Sequence, residues 1–324
     1  MAMGSGARAL IGKAAAAIGI ATAAMGASVG AALAQAGSEI GIGQSAPGQL
    51  DLQTPVTQVA RQIFDLHWLM LVIITGICIF VLALLAIVIL RYNRAANPKP
   101  QSWTHNTTIE VVWTAAPVVI LVIIAVPSVA LLQLQEDFDR VEPDVVIKAT
   151  GNQWNWTYLY AEQEIEFTAA MLGYGQANMN DEVREELAEY GFPERAWKLA
   201  TDLPVVVPVG KNVLVEVTAS DVIHSWTVPA FGVKADGVPG RINRTWFNVE
   251  KPGVYFGQCS ELCGKDHSFM PITVTAVSPE AFETWAACAK GGDGEDCPVP
   301  TMNEFLEQRD AQQVSSAAGE TATR

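Results

Sequence analysis

Two long apolar stretches dominate the first half of the chain, at residues 67–90 and 111–134. Each contains 24 residues without Asp, Glu, Lys or Arg, which is long enough to cross the hydrocarbon of a bilayer with some tilt. The second stretch contains Pro117 and Pro127, which a membrane helix tolerates where neighbouring helices satisfy the freed backbone groups. The pattern predicts a two-helix transmembrane hairpin over residues 64–134.

The charges beside the first stretch predict its orientation. Arg91, Arg94 and Lys99 follow it at once, whereas only Arg61 precedes it closely. Because basic residues are retained on the cytoplasmic side of a membrane, we expect the connection between the two helices to be cytoplasmic. The chain after Gln135 then lies on the opposite side.

The region before the hairpin is predicted to direct export. Residues 1–34 contain Arg8 and Lys13, then an Ala-rich apolar run that ends in Ala32-Leu33-Ala34, with a small residue at each end of this triplet. This pattern is typical of a cleaved secretory signal peptide. A retained membrane anchor is the alternative. Residues 35–63 are predicted to form a flexible segment, because their first part is rich in Gly, Ser, Pro and Gln.

After the hairpin the pattern changes to short apolar runs separated by Pro and Gly. Several runs alternate between apolar and polar positions, as residues 213–218 do, and this favours a β-sandwich over residues 135–286. The predicted strands are 145–150, 154–160, 205–209, 213–218, 244–249, 253–258 and 272–277. Residues 181–190 predict a short acidic helix between strands, and residues 287–324 a loosely ordered tail.

Composition narrows the classes of partner. Half of the residues are hydrophobic, yet the formal net charge is −14. This acidity argues against nucleic acid, which requires Lys and Arg, and favours a basic protein partner. Of the five cysteines, Cys78 lies in an apolar stretch, whereas Cys288 and Cys297 flank a Gly- and Asp-rich loop. A disulfide between that pair is expected if the loop is extracytoplasmic.

The densest chemistry lies at residues 259–270. Cys259, Cys263, His267 and Met270 place two thiols, an imidazole and a thioether within twelve residues. Thiolate and thioether ligands select copper or zinc, and imidazole suits both metals. The spacing predicts a soft-metal site.

A second imidazole is expected from upstream. A mononuclear electron-transfer copper site uses two His, one Cys and a weak axial Met. The chain has four histidines, His67, His105, His224 and His267. Since His67 and His105 lie near the apolar stretches, His224 is the candidate. Cys259 is then surplus to a mononuclear site, and a second thiolate allows two sulfurs to bridge two copper ions.

Two other interpretations remain open. A zinc ion held by Cys259, Cys263, His224 and His267 satisfies the usual tetrahedral set but leaves Met270 without a role. A disulfide between the two loop cysteines explains neither the imidazoles nor the thioether.

The run C-S-E-L-C-G-K-D-H-S-F-M resembles the CuA motif of subunit 2 of the cytochrome c oxidase family, and the resemblance extends over roughly residues 51–286. It implies an all-β cupredoxin-like Greek-key sandwich with two bound copper ions. The implied ligands are the bridging Cys259 and Cys263, with His224, His267, Met270 and the carbonyl oxygen of Glu261. The resemblance further implies an alphaproteobacterial type of subunit in the bacterial inner membrane, with its soluble domain in the periplasm.

The resemblance also implies how electrons arrive. In G-N-Q-W-N-W-T-Y-L-Y the first Trp, Trp154, corresponds to the residue that faces cytochrome c and accepts its electrons, although clustered aromatic residues in a strand are usually core. Glu166, Asp202 and Asp221 correspond to carboxylates that dock this basic partner. Such acids are by default merely solvated.

The remaining implications concern the other subunits. Glu110 corresponds to the entrance of a proton-conducting pathway, although an acid beside an apolar stretch is usually a solvated flank. The side chain of Glu261 corresponds to a ligand of a magnesium ion shared with the large subunit. The expected partners are subunit 1, which carries haem and copper, and subunit 3, and the expected activity is proton-translocating oxygen reduction. The alternatives are a quinol-oxidase subunit, which would lack the copper ligands, and a membrane-anchored zinc- or copper-binding module without electron transfer.

Overall fold

The structure is a computed structural model that describes residues 41–99, 101–138 and 141–322. The predicted signal peptide, residues 1–34, lies outside the described residues. The chain divides into two compact units, one formed by residues 61–140 and the other by the remainder.

Two long helices, α1 (Gln58–Arg91) and α2 (Thr107–Gln135), correspond to the two apolar stretches. Both are long and apolar enough to cross a membrane. In the most apolar segment of each helix, almost no residue is buried against other described residues. Large side chains such as Leu90 and Val126 are 72% and 71% exposed. Since soluble proteins rarely expose such extended apolar surface, the two helices match the predicted transmembrane hairpin.

The second unit is a sandwich of two β-sheets. The five-stranded sheet contains, in spatial order, β4 (Ile165–Ala169), β3 (Asn155–Tyr160), β2 (Val145–Asn152), β6 (Asn212–Ala219) and β9 (Asn243–Asn248). The six-stranded sheet contains β5 (Val205–Pro208), β11 (Pro271–Val277), β10 (Gly253–Cys259), β7 (His224–Val228) and β8 (Val233–Gly237), and β1 (Gly41–Gly43) pairs with β10. The predicted β-sandwich is confirmed.

Burial follows the sequence pattern. Alternate residues of β2 and β6 are buried, so one face of the five-stranded sheet packs on the core. β10 and β11 are buried on both faces, because a second apolar cluster covers the outer side of their sheet. That cluster joins the helix α3 (Asp181–Glu189) to the C-terminal part of the chain.

All seven predicted strands are present, with ends that differ by two residues at most. The strands at Ile165–Ala169, His224–Val228 and Val233–Gly237 were not predicted. β7 contains a buried histidine and a buried serine, which interrupt its apolar pattern, whereas β4 and β8 alternate over only five residues each.

The structure differs from the predicted flexible segment over residues 41–57. Gly41–Gly43 forms a parallel pairing with Gly253–Tyr255, and a Cβ atom on Gly41 or Gly43 would collide with the Tyr255 ring. Thr57 Oγ1 donates a hydrogen bond to the Phe231 carbonyl over 2.7 Å. The glycines that suggested flexibility instead allow the backbone to lie directly against an aromatic ring.

The structure also differs from the predicted loose tail. The helix α4 (Pro279–Ala289) runs past residue 286, and α5 (Met302–Ala322) follows it. Met302 and Phe305 are buried in the outer cluster. A disulfide joins Cys288 to Cys297, and the enclosed loop contacts the edge strand β4, where Glu166 N donates to the Gly292 carbonyl over 3.4 Å. Two apolar anchors and one cross-link order a segment whose composition is otherwise polar.

Removing this cross-link is expected to destabilise the second unit. The Cys288→Ser, Cys297→Ser double variant should lose about 2–3 kcal/mol, because the bond closes a short loop in the unfolded chain. The midpoint of thermal unfolding should fall by roughly 5–10 °C, measured on the purified chain by differential scanning fluorimetry. Cys78→Ser, which leaves the bond intact, is the control. An unchanged midpoint would show that α4 and α5 are held by packing alone.

Candidate metal centre

Neighbouring strands of the six-stranded sheet bring the donor groups together. β7 begins at His224 and β10 ends at Cys259, and the two strands pair antiparallel at this end. The loop of residues 260–270 joins β10 to β11 and folds back, so that Cys259 N donates to the Met270 carbonyl over 3.4 Å. The register of three strands therefore places an upstream imidazole beside the loop.

The first half of the donor set surrounds Cys259. Its Sγ atom lies 3.8 Å from His224 Nδ1 and 3.3 Å from the carbonyl oxygen of Glu261. The Sγ atom of Cys263 is 3.9 Å away. His224, Cys259 and Cys263 are all buried, and their ligand atoms lie within 4.8 Å of one another.

The second half surrounds Cys263. Its Sγ atom lies 3.5 Å from His267 Nδ1 and 3.5 Å from Met270 Sδ. Met270 is fully buried, whereas His267 is half-buried at the start of a short 3-10 helix. Each sulfur therefore has one imidazole and one weaker donor of its own.

The grouping of the donors around two sulfurs fits two soft metal ions better than one. A single tetrahedral zinc ion uses four ligands, which two Cys and two His would supply. Met270 Sδ and the Glu261 carbonyl oxygen would then have no role, although both lie within 3.5 Å of a thiol sulfur. The sulfur–sulfur distance of 3.9 Å is far beyond the about 2.05 Å of a disulfide. The donor set thus fits a pair of copper ions that share both thiolates.

The imidazole of His224 is fixed from several sides. It is fully buried, and its Nε2 atom lies 2.9 Å from Asp221 Oδ1. The Trp156 ring meets it edge-on at a centroid distance of 5.9 Å. Gly151 lies so close that a Cβ atom there would be 2.7 Å from the ring. These contacts aim Nδ1 at Cys259, as is usual where a carboxylate orients a ligating histidine.

Asp221 binds three groups at once. Besides His224, its carboxylate accepts hydrogen bonds from Val222 N over 2.6 Å and from Gln153 N over 2.7 Å. Burial alone would raise the pKa of Asp221, but these bonds outweigh burial and lower it. Asp221 therefore stays ionised beside the ligand.

The two thiols differ in acidity. Burial raises the pKa of both, but at Cys259 hydrogen bonds with His224 and with backbone groups reverse the effect and lower it. At Cys263 the neighbouring Cys259 charge adds to burial, so its pKa is raised. Burial lowers the pKa of His224, but Cys259 and Asp221 together raise it above its usual value. Metal binding requires two thiolates and neutral imidazoles, so loading releases protons.

Trp154 lies in the turn between β2 and β3, against the ligand loop. Its half-buried indole is in contact with Gly264, where a Cβ atom would be 3.1 Å from Cζ2 of the ring. Gly264 directly follows Cys263, so the indole reaches the backbone beside a ligand. By contrast Trp156, Tyr158 and Tyr160, further along the same run, are core residues. The structure thus separates one aromatic residue of this run from the others.

Two predicted docking acids have other contacts. Asp202 Oδ1 accepts hydrogen bonds from Ala170 N over 2.8 Å and from Leu203 N over 2.7 Å. Burial raises the pKa of Asp202, and these bonds offset only part of that rise. Glu166 is exposed on the edge strand β4, opposite Leu159. The docking role of these residues and of Asp221 stays a prediction.

Glu110 and Glu261, the acids predicted to act in proton uptake and magnesium binding, lie in different parts of the chain. Glu110 caps the start of α2, where Oε1 accepts a hydrogen bond from Asn106 N over 3.1 Å. Asn106 Oδ1 in turn accepts from Ile109 N over 3.2 Å, which makes a reciprocal cap. The side chain of Glu261 is exposed. Their predicted roles in proton uptake and magnesium binding stay predictions.

Comparisons with known proteins found similar families, sequences and structures. The family described as cytochrome C oxidase subunit II, transmembrane domain, matches residues 45–131, and cytochrome C oxidase subunit II, periplasmic domain, matches residues 145–277. Cytochrome c oxidase subunit 2 of Cereibacter sphaeroides is 47% identical over 255 residues, which are 78% of this chain and 84% of that protein. The probable cytochrome c oxidase subunit 2 of Rickettsia bellii is 42% identical over 242 residues, covering 74% and 84%. Among solved structures, the periplasmic domain of subunit II of cytochrome oxidase of Bradyrhizobium japonicum is 43% identical, covers 46% of this chain and 95% of that one, and has a TM-score of 0.38.

Proposed function

The chain belongs to the cytochrome c oxidase subunit II family, and on that premise we propose that it binds a dicopper centre through which electrons from cytochrome c reach the oxidase. Its family members are subunits of an oxidoreductase complex. When bound, copper ions held by Cys259, Cys263, His224, His267, Met270 and the Glu261 carbonyl oxygen would supply one-electron chemistry.

The observation that carries the proposal is the paired donor set. Cys259 and Cys263 each have one imidazole and one weaker donor within 3.8 Å of the sulfur. The two-fold pattern supports two metal ions, and the sulfur and nitrogen donors support copper. The strands β10 and β11 on either side of the loop are buried on both faces. A rigid frame of this kind keeps the ligands from rearranging when the oxidation state changes.

Trp154 is the group that we propose to receive the electron at the protein surface. Its indole is half-buried, and it contacts Gly264 beside Cys263. The acidic net charge of −14 supports a basic partner that is attracted over long range. Glu166, Asp202 and Asp221 are the proposed docking acids, and cytochrome c is the proposed partner.

The two helices anchor the unit in the membrane. We place the helix connection in the cytoplasm and the sandwich in the periplasm of a bacterial inner membrane, since Arg91, Arg94 and Lys99 follow α1. Subunit 1, with its haem and copper, and subunit 3 are the proposed membrane partners. Glu110 is proposed to lie at a proton-uptake entrance. The exposed carboxylate of Glu261 is proposed to bind magnesium together with ligands from another subunit, because one carboxylate does not complete the coordination of this ion.

Metal analysis tests the proposal. The purified full-length chain, loaded with copper under reducing conditions and then partly oxidised, should contain two copper ions. It should show near-infrared absorption and an electron resonance signal from one unpaired electron shared by two copper nuclei. A single bound zinc ion, or no retained metal, would contradict the proposal and favour a zinc-binding module or a subunit without copper.

A further inference from the structure

We infer that Gln153 is a positioning residue, which holds Trp154 against the ligand loop and so sets the rate at which an electron enters. This inference rests on the proposed electron-transfer function. It concerns a neutral side chain on the surface turn beside the centre. Gln153 does not touch the metal-binding atoms.

Gln153 connects the Trp154 turn to both ligand-bearing segments. Its side-chain Nε2 donates a hydrogen bond to the carbonyl oxygen of Cys263 over 2.7 Å. Its backbone N donates to Asp221 Oδ2 over 2.7 Å, and the other oxygen of that carboxylate lies 2.9 Å from His224 Nε2. One residue therefore links the turn to a thiol ligand on one side and to the support of an imidazole ligand on the other.

The ligand loop is shaped to receive this turn. A Cβ atom on Gly264 would lie 3.0 Å from Gln153 Nε2 and 3.1 Å from the Trp154 ring. The φ angle of Gly264 is +129°, in a region that side-chain-bearing residues rarely adopt. The absence of a side chain thus lets both the amide and the indole touch the backbone of the loop.

The Trp154 indole is fixed by packing, since it lies against the apolar core as well as against the loop. Its indole Nε1 is buried and has no hydrogen-bond partner among the described residues. The ring is therefore held by packing against the core and the loop and by the turn that carries it. The Gln153 amide is the side-chain bond that ties this turn to the loop, so it helps to keep the ring in contact with Gly264.

An exposed glutamine normally leaves its amide free in solvent. Residue 153 is exposed overall, and ordering such a side chain loses rotamer entropy of up to about 2 kcal/mol. Here the amide is nevertheless directed to one carbonyl at 2.7 Å. Removing it would leave that carbonyl without this partner, which destabilises the local arrangement.

Two substitutions in the intact oxidase separate positioning from docking. Gln153→Ala removes the amide, and Gln153→Glu keeps the shape but loses the N–H donor. Both variants should take up the first electron from reduced cytochrome c roughly tenfold or more slowly, since a displacement of about 1 Å can reduce a rate 10²-fold. Rapid mixing followed at the near-infrared band of the centre measures this rate, and that band should stay unchanged in position and intensity.

The sign of the Gln153→Glu effect is the decisive observation. A residue that only docks a basic partner should dock it better with an added negative charge, so that the uptake rate at low salt would rise. Positioning predicts a slower rate in spite of that charge. Gln176→Ala is the matched control, since among the described residues the Gln176 amide bonds to Asn180 and Glu182 and not to the ligand loop. The uptake rate of this variant should equal that of the unaltered chain.

A second readout does not depend on the loaded centre. In the metal-free oxidase, hydrogen–deuterium exchange of the peptide that contains residues 263–265 should be faster in both Gln153 variants. Unchanged exchange and unchanged uptake would overturn the inference, and so would loss of the near-infrared band in the variants alone. Failure of the proposed function is distinguishable, because the unaltered oxidase would then lack the band.

Discussion

Cys263→Ser should leave the chain unable to hold two copper ions, with copper content falling to one ion or none. The Cys263 sulfur lies at the centre of the second half of the donor set. It is 3.5 Å from His267 Nδ1 and 3.5 Å from Met270 Sδ. A serine hydroxyl is a hard, weakly acidic group that does not replace a soft thiolate. The near-infrared band should disappear, and oxygen consumption with reduced cytochrome c should fall to background.

Cys78→Ser is the matched control for this experiment. Cys78 is also a free thiol but is exposed on α1, so its loss should change neither copper content nor spectrum. Elemental analysis of each purified variant gives the copper content. Two copper ions and an unaltered band in Cys263→Ser would contradict the bridging role and point to a centre built without this thiol.

Trp154→Ala is the second large effect that we expect. Electron uptake from cytochrome c should slow by about 10²-fold or more, as a lost contact between reacting groups does, whereas the copper spectrum should stay intact. The reason is the geometry of the indole, which contacts Gly264 beside a ligand and contributes no metal-binding atom. Rapid mixing with reduced cytochrome c measures the uptake rate.

Trp197→Ala controls for the loss of an indole. The Trp197 Nε1 atom is likewise buried without a partner among the described residues, but Trp197 packs against the outer cluster. This variant should unfold more easily while keeping its uptake rate. Loss of the copper spectrum in Trp154→Ala would instead mean that Trp154 is needed to build the centre.

The fold could be predicted where a local pattern repeats. The two apolar stretches predicted α1 and α2, and short apolar runs, several of them alternating, predicted seven strands. β7 was missed because the buried His224 and Ser225 interrupt its apolar pattern, and β8 was missed because its alternation covers only five residues. The C-terminal anchors Met302 and Phe305 were missed because their helical spacing, with Leu306, covers a single turn of an otherwise polar tail.

The candidate ligands could be predicted because four of them are close in sequence and histidines are few. The residues that hold these ligands in position could not be predicted. The Gln153–Cys263 hydrogen bond joins residues 110 positions apart, and no local signal marks an amide that will meet a distant carbonyl. Asp221 was expected to dock a basic partner because its position resembles that of a family docking acid, and that resemblance does not show that its carboxylate orients His224.

The pairing of β1 with β10 also bears on how the subunit is assembled. β1 is synthesised before both membrane helices, whereas β10, which ends at Cys259, is among the last strands to be made. β1 can therefore pair with β10 only after the two membrane helices have been synthesised and inserted and most of the sandwich has been translocated. Copper delivery during biogenesis should accordingly be a late event, and removing the residues up to Gly43 should impair maturation of the proposed centre more than 200 residues downstream.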